Sequence, residues 1–217
     1  MSNRTISVAG LLAICLLGLA GQTVPIEAPG DPARAPNDLV PPQIILRNLT
    51  TNDQPAEIVE WSVARYELAG LQLPDLEVSF YSWDPSLRDC AGHGGLWTFS
   101  QDKHSIDVCD IGVPSRRRML LHEFAHAWTH ENLTEGDRKA FLEAQGLKTW
   151  NDLQTDWGQL GTEHAAEIIS WGLYMYCEPQ NMIKAEDAAS LAVSFRLLTG
   201  TEPLCEEKPV LNEADAR

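Results

Sequence analysis

Basic residues are scarce in this chain of 217 residues. Lysine and arginine together number 16, against 31 aspartates and glutamates, which gives a formal net charge of −15. Binding to nucleic acid depends on cationic side chains that neutralise phosphates, so this balance argues against a nucleic-acid partner. An acidic surface of this kind instead favours solubility and disfavours acidic substrates.

Long hydrophobic runs are missing as well. The main apolar run, residues 6–20, has 15 residues, whereas a helix that crosses a membrane needs about 20. Arg4 precedes this run, and Gly18 and Ala20 are small residues of the kind that signal peptidase reads. We therefore predict a signal peptide over residues 1–20, with an uncleaved anchor as the alternative. The mature protein is then expected to be secreted or periplasmic, without stable membrane insertion.

No pair of cysteines has the C-x-x-C spacing of a structural zinc cluster. Of the five cysteines, Cys15 would be removed with the signal peptide, and an even number in a secreted chain predicts two disulfide bonds. We favour the pairs Cys90–Cys109 and Cys177–Cys205, because each closes a short local loop.

The pattern of residues predicts one α+β domain over residues 51–205. A Pro-rich linker or pro-region is expected at 21–50, and a charged tail at 206–217. Hydrophobic periodicity predicts helices at 55–69, 134–147, 162–176 and 185–198. It also predicts a strand at 76–83 and a hairpin of 96–100 with 105–109, in a small, mainly antiparallel sheet. The first helix is expected to be capped by Asn52 or Asp53 and to pack through Ile58, Trp61, Ala64 and Leu68.

Residues 120–128 read LLHEFAHAW and contain the pattern H-E-x-x-H. On a helix, His122 and His126 share a face and can bind one metal ion. Glu123 lies about 100° further round the axis, where its carboxylate can reach a metal-bound water without becoming a ligand. Paired histidines also occur as ordinary core or surface residues. A glutamate inside an apolar segment, however, is costly to bury without a role, which favours a metal site.

A catalytic zinc site usually has three protein ligands and one water. The metzincin solution fails here, because Thr129 and Asn132 occupy the positions where it needs glycine and histidine. Glu163 and Glu167, four residues apart in GTEHAAE, share a helix face. Either one can bind the metal while the other accepts the free ring N–H of a ligating histidine.

Together these residues resemble the gluzincins, zinc peptidases with H-E-x-x-H on one helix and a ligand glutamate on a later helix. The chain is most similar to the lethal-factor type, in which H-E-F-x-H-A is followed by E-x-x-A-E, here residues 122–127 and 163–167. The resemblance covers roughly residues 100–176. It implies a zincin-like fold with a helical C-terminal part and Zn²⁺ as cofactor. It also implies His122, His126 and Glu163 as metal ligands, with Glu167 orienting a ligand histidine.

The same resemblance implies a zinc metalloendopeptidase that acts on peptide or protein substrates, and the predicted signal peptide makes it a secreted one. A zinc-activated water would attack the peptide bond, with Glu123 as general base. By analogy with the family, residues 105–109 are expected to be an edge strand that binds an extended peptide. Two alternatives stay open: a secreted binding or toxin-like module with a structural zinc, and a hydrolase of cell-wall peptides.

One position departs from the lethal-factor pattern. A tyrosine seven residues before the ligand glutamate stabilises the oxyanion in that family, and Asp156 occupies this position here. Asp156 and His164 are therefore kept as rival third ligands. Candidates for the oxyanion-stabilising residue are His93, His164, Tyr174 and Tyr176.

Overall fold

The computed structural model describes residues 41–50, 54–81, 94–109, 116–152, 154–177 and 187–206. Within these ranges the chain has a mixed α+β fold with a four-stranded sheet and five α-helices. The strands are β1 (Ile44–Leu49), β2 (Leu76–Tyr81), β3 (Gly95–Ser100) and β4 (Lys103–Cys109). The helices are α1 (Pro55–Leu68), α2 (Arg116–Asn132), α3 (Glu135–Gln145), α4 (Gly161–Leu173) and α5 (Ala188–Thr199). The predicted signal peptide, Cys90 and His93 lie outside the described residues.

The sheet has the strand order β1-β2-β4-β3. The pairs β1–β2 and β2–β4 are parallel, and only β3–β4 is antiparallel. The expectation of a mainly antiparallel sheet is therefore wrong. Two pairings make the difference: β1, which lies in the segment predicted as a linker, pairs with β2 in parallel, and β2 also pairs in parallel with β4. Helix α1 carries the chain from β1 back to a parallel neighbour, as a parallel connection requires.

The β3–β4 hairpin confirms the predicted one with a tighter turn. Gln101 and Asp102 form the two-residue connection, with φ angles of 51° and 58°, as a type I′ hairpin turn demands. β4 therefore begins at Lys103 and lies between β2 and β3. The expectation that residues 105–109 form an edge strand is wrong, because β3 takes the edge position.

The predicted helices are present, with shifted ends. Thr134 caps α3 in a reciprocal capping box with Asp137, and Gly146 ends that helix with a left-handed φ of 67°. Helix α1 starts with Pro55 in its first turn, and its N-cap is Gln54, without a side-chain capping bond. The expected caps of α1 were thus misplaced.

The packing face of α1 also differs from the prediction. Leu68 is 70% exposed and Ala64 is exposed, whereas Tyr66 is fully buried. The hydroxyl of Tyr66 donates a hydrogen bond to the Leu121 carbonyl at 2.9 Å. Burial of this amphipathic ring is possible because its polar atom finds a partner. The packing face of α1 therefore includes Tyr66 and leaves out Ala64 and Leu68. Ile58 is buried as expected.

Helix α2 is the centre of the packing. It contacts α1 and α4 and also lies against β3 and β4. Its fully buried apolar residues meet the inner residues of β2 and β4 in one core, which includes Leu120, Leu121, Phe124, Val78 and Ile106. Packing of the buried side of α2 thereby fixes the direction of its other side, called here the chemical side, which carries His122, Glu123 and His126.

A disulfide bond joins Cys177 to Cys205, with a Cα–Cα distance of 5.0 Å, as predicted. Cys109 is also disulfide-bonded, but Cys90 is not described, so the pair Cys90–Cys109 stays a prediction. Across the described ranges, every helix is too short or too polar to cross a bilayer.

Candidate metal centre

Three side chains from two helices converge beside α2. His122 and His126 come from successive turns of α2, and Glu163 comes from the first turn of α4. The two Nε2 atoms are 3.0 Å apart. Oε2 of Glu163 lies 3.2 Å from Nε2 of His122 and 3.5 Å from Nε2 of His126. The structure thus brings together the three residues that the sequence predicts as ligands.

These distances fit a small divalent cation. A tetrahedral Zn²⁺ with bonds of about 2.0–2.2 Å places its ligand atoms about 3.3 Å apart. The three observed separations, from 3.0 to 3.5 Å, bracket that value. Two imidazole nitrogens and one carboxylate oxygen are also a donor set that zinc takes in catalytic sites. His122, His126 and Glu163 could therefore hold a metal ion.

The second ring nitrogen of each of the two histidines faces a polar side chain of α4. Nδ1 of His122 lies 3.4 Å from Oε1 of Glu167, an ion-pair distance rather than a well-formed hydrogen bond. Arg118 contacts Oε2 of the same carboxylate at 3.3 Å. Nδ1 of His126 lies 3.2 Å from Oγ1 of Thr162. Such contacts fix the tautomer and orientation of a ligand ring.

Glu167 thus occupies the place that the sequence predicts for the orienting acid. Thr162 was missed, although it directly precedes Glu163. No sequence pattern distinguishes a single threonine that contacts a histidine from any other threonine in a helix.

The charges of the cluster are strongly coupled. Burial by itself lowers the pKa of His122, but its contacts with the carboxylates of Glu163 and Glu167 outweigh burial and raise that pKa to about 10. Burial by itself raises the pKa of Glu163. Hydrogen bonding to His122 and His126 has the opposite and larger effect, and the pKa falls to about 2. Without a cation, an imidazolium and a carboxylate therefore pair at this centre. A metal ion must displace the proton from His122.

Glu123 lines the same cavity as the three ligands and is 6% exposed. The backbone of β3 passes directly beside it, so that a Cβ atom on Gly95 would lie 2.6 Å from Oε1 of Glu123. The cavity has a volume of about 610 Å³, and its apolar walls are formed by Leu96, Trp97, Met119 and Trp157. Gly95 and Trp97 were not predicted as site residues.

The rival ligands lie elsewhere. Asp156 is exposed and precedes a short 3₁₀ turn, Trp157–Gln159. Nε2 of His164 is hydrogen-bonded to the Gly158 carbonyl at 3.0 Å. Neither side chain belongs to the group of His122, His126 and Glu163 that could hold a metal ion. The structure therefore places Glu163, and neither rival, beside the two histidines.

The described oxyanion candidates do not line the cavity either. His164, Tyr174 and Tyr176 are not among its lining residues. Tyr174 packs edge-on against Trp61, with ring centroids 6.1 Å apart. Tyr176 is bridged to Glu206 near the disulfide bond. His93 lies outside the described residues.

Comparison of the chain with family models, with curated proteins and with solved structures gave no match. The geometry and donor chemistry of the site therefore carry its functional interpretation.

Proposed function

We propose that this protein is a zinc-dependent metallopeptidase with a zincin-like fold. In this proposal His122, His126 and Glu163 hold Zn²⁺, and Glu123 is the general base. The observation that carries the proposal is the convergence of three ligand atoms at 3.0–3.5 Å beside a cavity that a fourth, non-ligand carboxylate also lines.

The arrangement of elements supports the gluzincin resemblance. The H-E-x-x-H helix packs against the helix that provides the acidic ligand, and β3 runs along the chemical side of α2 at the edge of the sheet. The Cys177–Cys205 bond supports an extracytoplasmic location, because disulfide bonds persist in oxidising compartments.

Zn²⁺, when bound, supplies a Lewis acid that polarises the scissile carbonyl and lowers the pKa of water. Glu123 takes a proton from the attacking water at its carboxylate and delivers it to the leaving amine. Glu167 and Thr162 hold the rings of His122 and His126 in their ligating orientation.

The substrate reaches this site along β3. Within the described part of the chain, β3 has a neighbour on one side only, β4. Its other edge therefore offers backbone N–H and C=O groups to an extended peptide. Gly95 brings this edge close to Glu123, so that a bound peptide would lie across the proposed base.

The general-base role has a direct test. Zinc-loaded protein is expected to cleave members of a peptide library, to stop when a chelator removes the metal, and to recover when Zn²⁺ is returned. Glu123→Gln is expected to keep zinc and to lose about 100-fold or more in kcat, as general-base catalysts typically contribute. Undiminished cleavage by Glu123→Gln would refute the assignment.

A second candidate is a secreted binding or toxin-like module whose zinc is structural. One observation favours it: among the described residues, no tyrosine lines the cavity to stabilise an oxyanion. Stoichiometric zinc together with no cleavage of any library peptide would support this candidate and contradict the peptidase.

A further inference from the structure

The inner face of β3 follows α2 residue by residue. Because side chains alternate along a strand, positions 95, 97 and 99 share one face. Gly95 lies against Glu123, and Trp97 and Phe99 lie against His126 and His130. The strand therefore touches both the proposed base and a proposed ligand.

Trp97 makes two directed contacts. Its indole ring is nearly parallel to the ring of His126, with an interplanar angle of 19° and centroids 5.9 Å apart. Its Nε1 donates a hydrogen bond to Nδ1 of His104 at 3.2 Å. The stacking partner of the proposed ligand is thus itself held by a hydrogen bond.

The hydrogen bond sets the tautomer of His104. An indole N–H can only donate, so Nδ1 of His104 is the acceptor and the ring proton resides on Nε2. Nε2 lies 3.0 Å from Oε1 of Glu131, to which it donates. Burial lowers the pKa of His104, against the opposing effect of Glu131. A lowered pKa favours the neutral ring, which can accept from Trp97 and donate to Glu131 at the same time.

The same side chains raise a competing possibility. His104, His130 and Glu131 have potential ligand atoms within 4.8 Å of one another. A cation on Nε2 of His104 would force the ring proton onto Nδ1, where it would face the Trp97 N–H at 3.2 Å. Two donors at that distance repel. The hydrogen-bond pattern therefore favours a chain of hydrogen bonds from Trp97 through His104 to Glu131 over a second cation site.

We propose that Trp97 is a positioning residue for His126, held in place by His104 and Glu131. This inference rests on the proposed zinc site. Thr162 holds Nδ1 of His126, and the indole face restricts rotation of the imidazole plane. A freed indole would let the ring leave its ligating orientation, and zinc affinity would fall about 10- to 100-fold, as for other groups that orient ligands.

Two substitutions break the same hydrogen bond from opposite ends. Trp97→Phe keeps an aromatic ring beside His126 and removes the donor. His104→Phe keeps a ring beside Trp97 and removes the acceptor, while Glu131 keeps its contact with His130. The dissociation constant of Zn²⁺, measured by competition with a chromophoric chelator, is expected to rise about tenfold in each variant. The double variant is expected to be no weaker than the single ones, because both lose one shared contact.

Thr98→Val is the matched control, since Thr98 is exposed and lies on the opposite face of β3. It is expected to bind zinc like the wild type. Thermal unfolding of the metal-free variants separates ligand positioning from general destabilisation. A lower Tm with unchanged zinc affinity in Trp97→Phe and His104→Phe would overturn the inference.

The remaining outcomes are equally decisive. Additive losses in the double variant would overturn the coupling. A second zinc equivalent in the wild type that disappears in His104→Phe would show that His104, His130 and Glu131 form a second cation site instead. A wild type that binds no zinc would overturn the proposed function itself. That result differs from a wild type that binds zinc and variants that bind it equally well, which would overturn only the positioning role of Trp97.

Discussion

A methyl group on Gly95 would lie 2.6 Å from Oε1 of Glu123, well inside van der Waals contact. β3 therefore reaches α2 so closely that only a glycine leaves room for the carboxylate. The obstructed atom is the end of a flexible side chain, so a larger residue would turn the carboxylate away rather than displace the backbone. Gly95 thus defines the space in which the proposed base operates.

Gly95→Ala is expected to lower kcat about 100-fold, because a misplacement of about 1 Å can have that effect. Zinc content and Tm should stay close to wild type. Gly158→Ala is the control, since nothing lies within 4 Å of the added Cβ and the residue is not at positive φ. Steady-state kinetics with metal analysis checks both variants, and equal losses in the two would contradict the prediction.

Glu163 and Glu167 are expected to differ in their effect on metal binding. Glu163→Ala removes a ligand and should abolish stoichiometric zinc, whereas Glu167→Gln should weaken zinc about 10- to 100-fold. Glu60→Gln, at an exposed position of α1, is the control. Equilibrium dialysis against Zn²⁺ measures all three. A greater loss in Glu167→Gln than in Glu163→Ala would exchange the two roles.

The metal-free protein is expected to lose stability in alkali through His122. The pKa of this residue is about 10 in the folded protein, against an ordinary value of 6.5 for a histidine in an unfolded chain. The stabilisation is therefore fully present below 6.5 and is lost as the pH rises through about 10. For Glu163, whose pKa falls from 4.5 to about 2, the stabilisation is present above 4.5 and is lost as the pH falls through about 2.

Denaturant unfolding in the presence of a chelator measures this effect. Between about pH 6 and about pH 9, the free energy of unfolding should fall more in the wild type than in His122→Gln. Parallel curves for the two proteins would show that His122 carries no such raised pKa.

Zinc binding is expected to release a proton. Near neutral pH the raised pKa keeps His122 protonated, and a ligating imidazole must be neutral, so about one proton should leave for each zinc bound. Calorimetric titration in two buffers of different ionisation enthalpy gives the number directly. Binding without proton release would contradict the imidazolium–carboxylate pair.

Several features followed from local rules. The capping box of Thr134 with Asp137, the left-handed glycine after α3 and the hairpin are encoded within a few residues of each other. The spacing of His122 and His126 places both rings on one face of any α-helix. Such local patterns can be predicted from sequence because the atoms that enforce them are neighbours along the chain.

Contacts between segments that are distant in sequence could not be predicted in the same way. The parallel pairing of β1 with β2 was missed because β1 lies within a Pro-rich segment, and the edge position of β3 depends on which strand β2 selects as neighbour. Trp97 and Gly95 belong to the site only because β3 runs alongside α2.

By itself, then, the sequence determined the candidate ligands, their shared helix face and the nearby acid that suits a base. Only the tertiary structure decided which acid closes the cluster, bringing Glu163 to 3.2 Å from His122 and leaving Asp156 exposed. The reason is physical: helical periodicity fixes directions within one element, whereas the distance between two elements depends on how their buried faces pack.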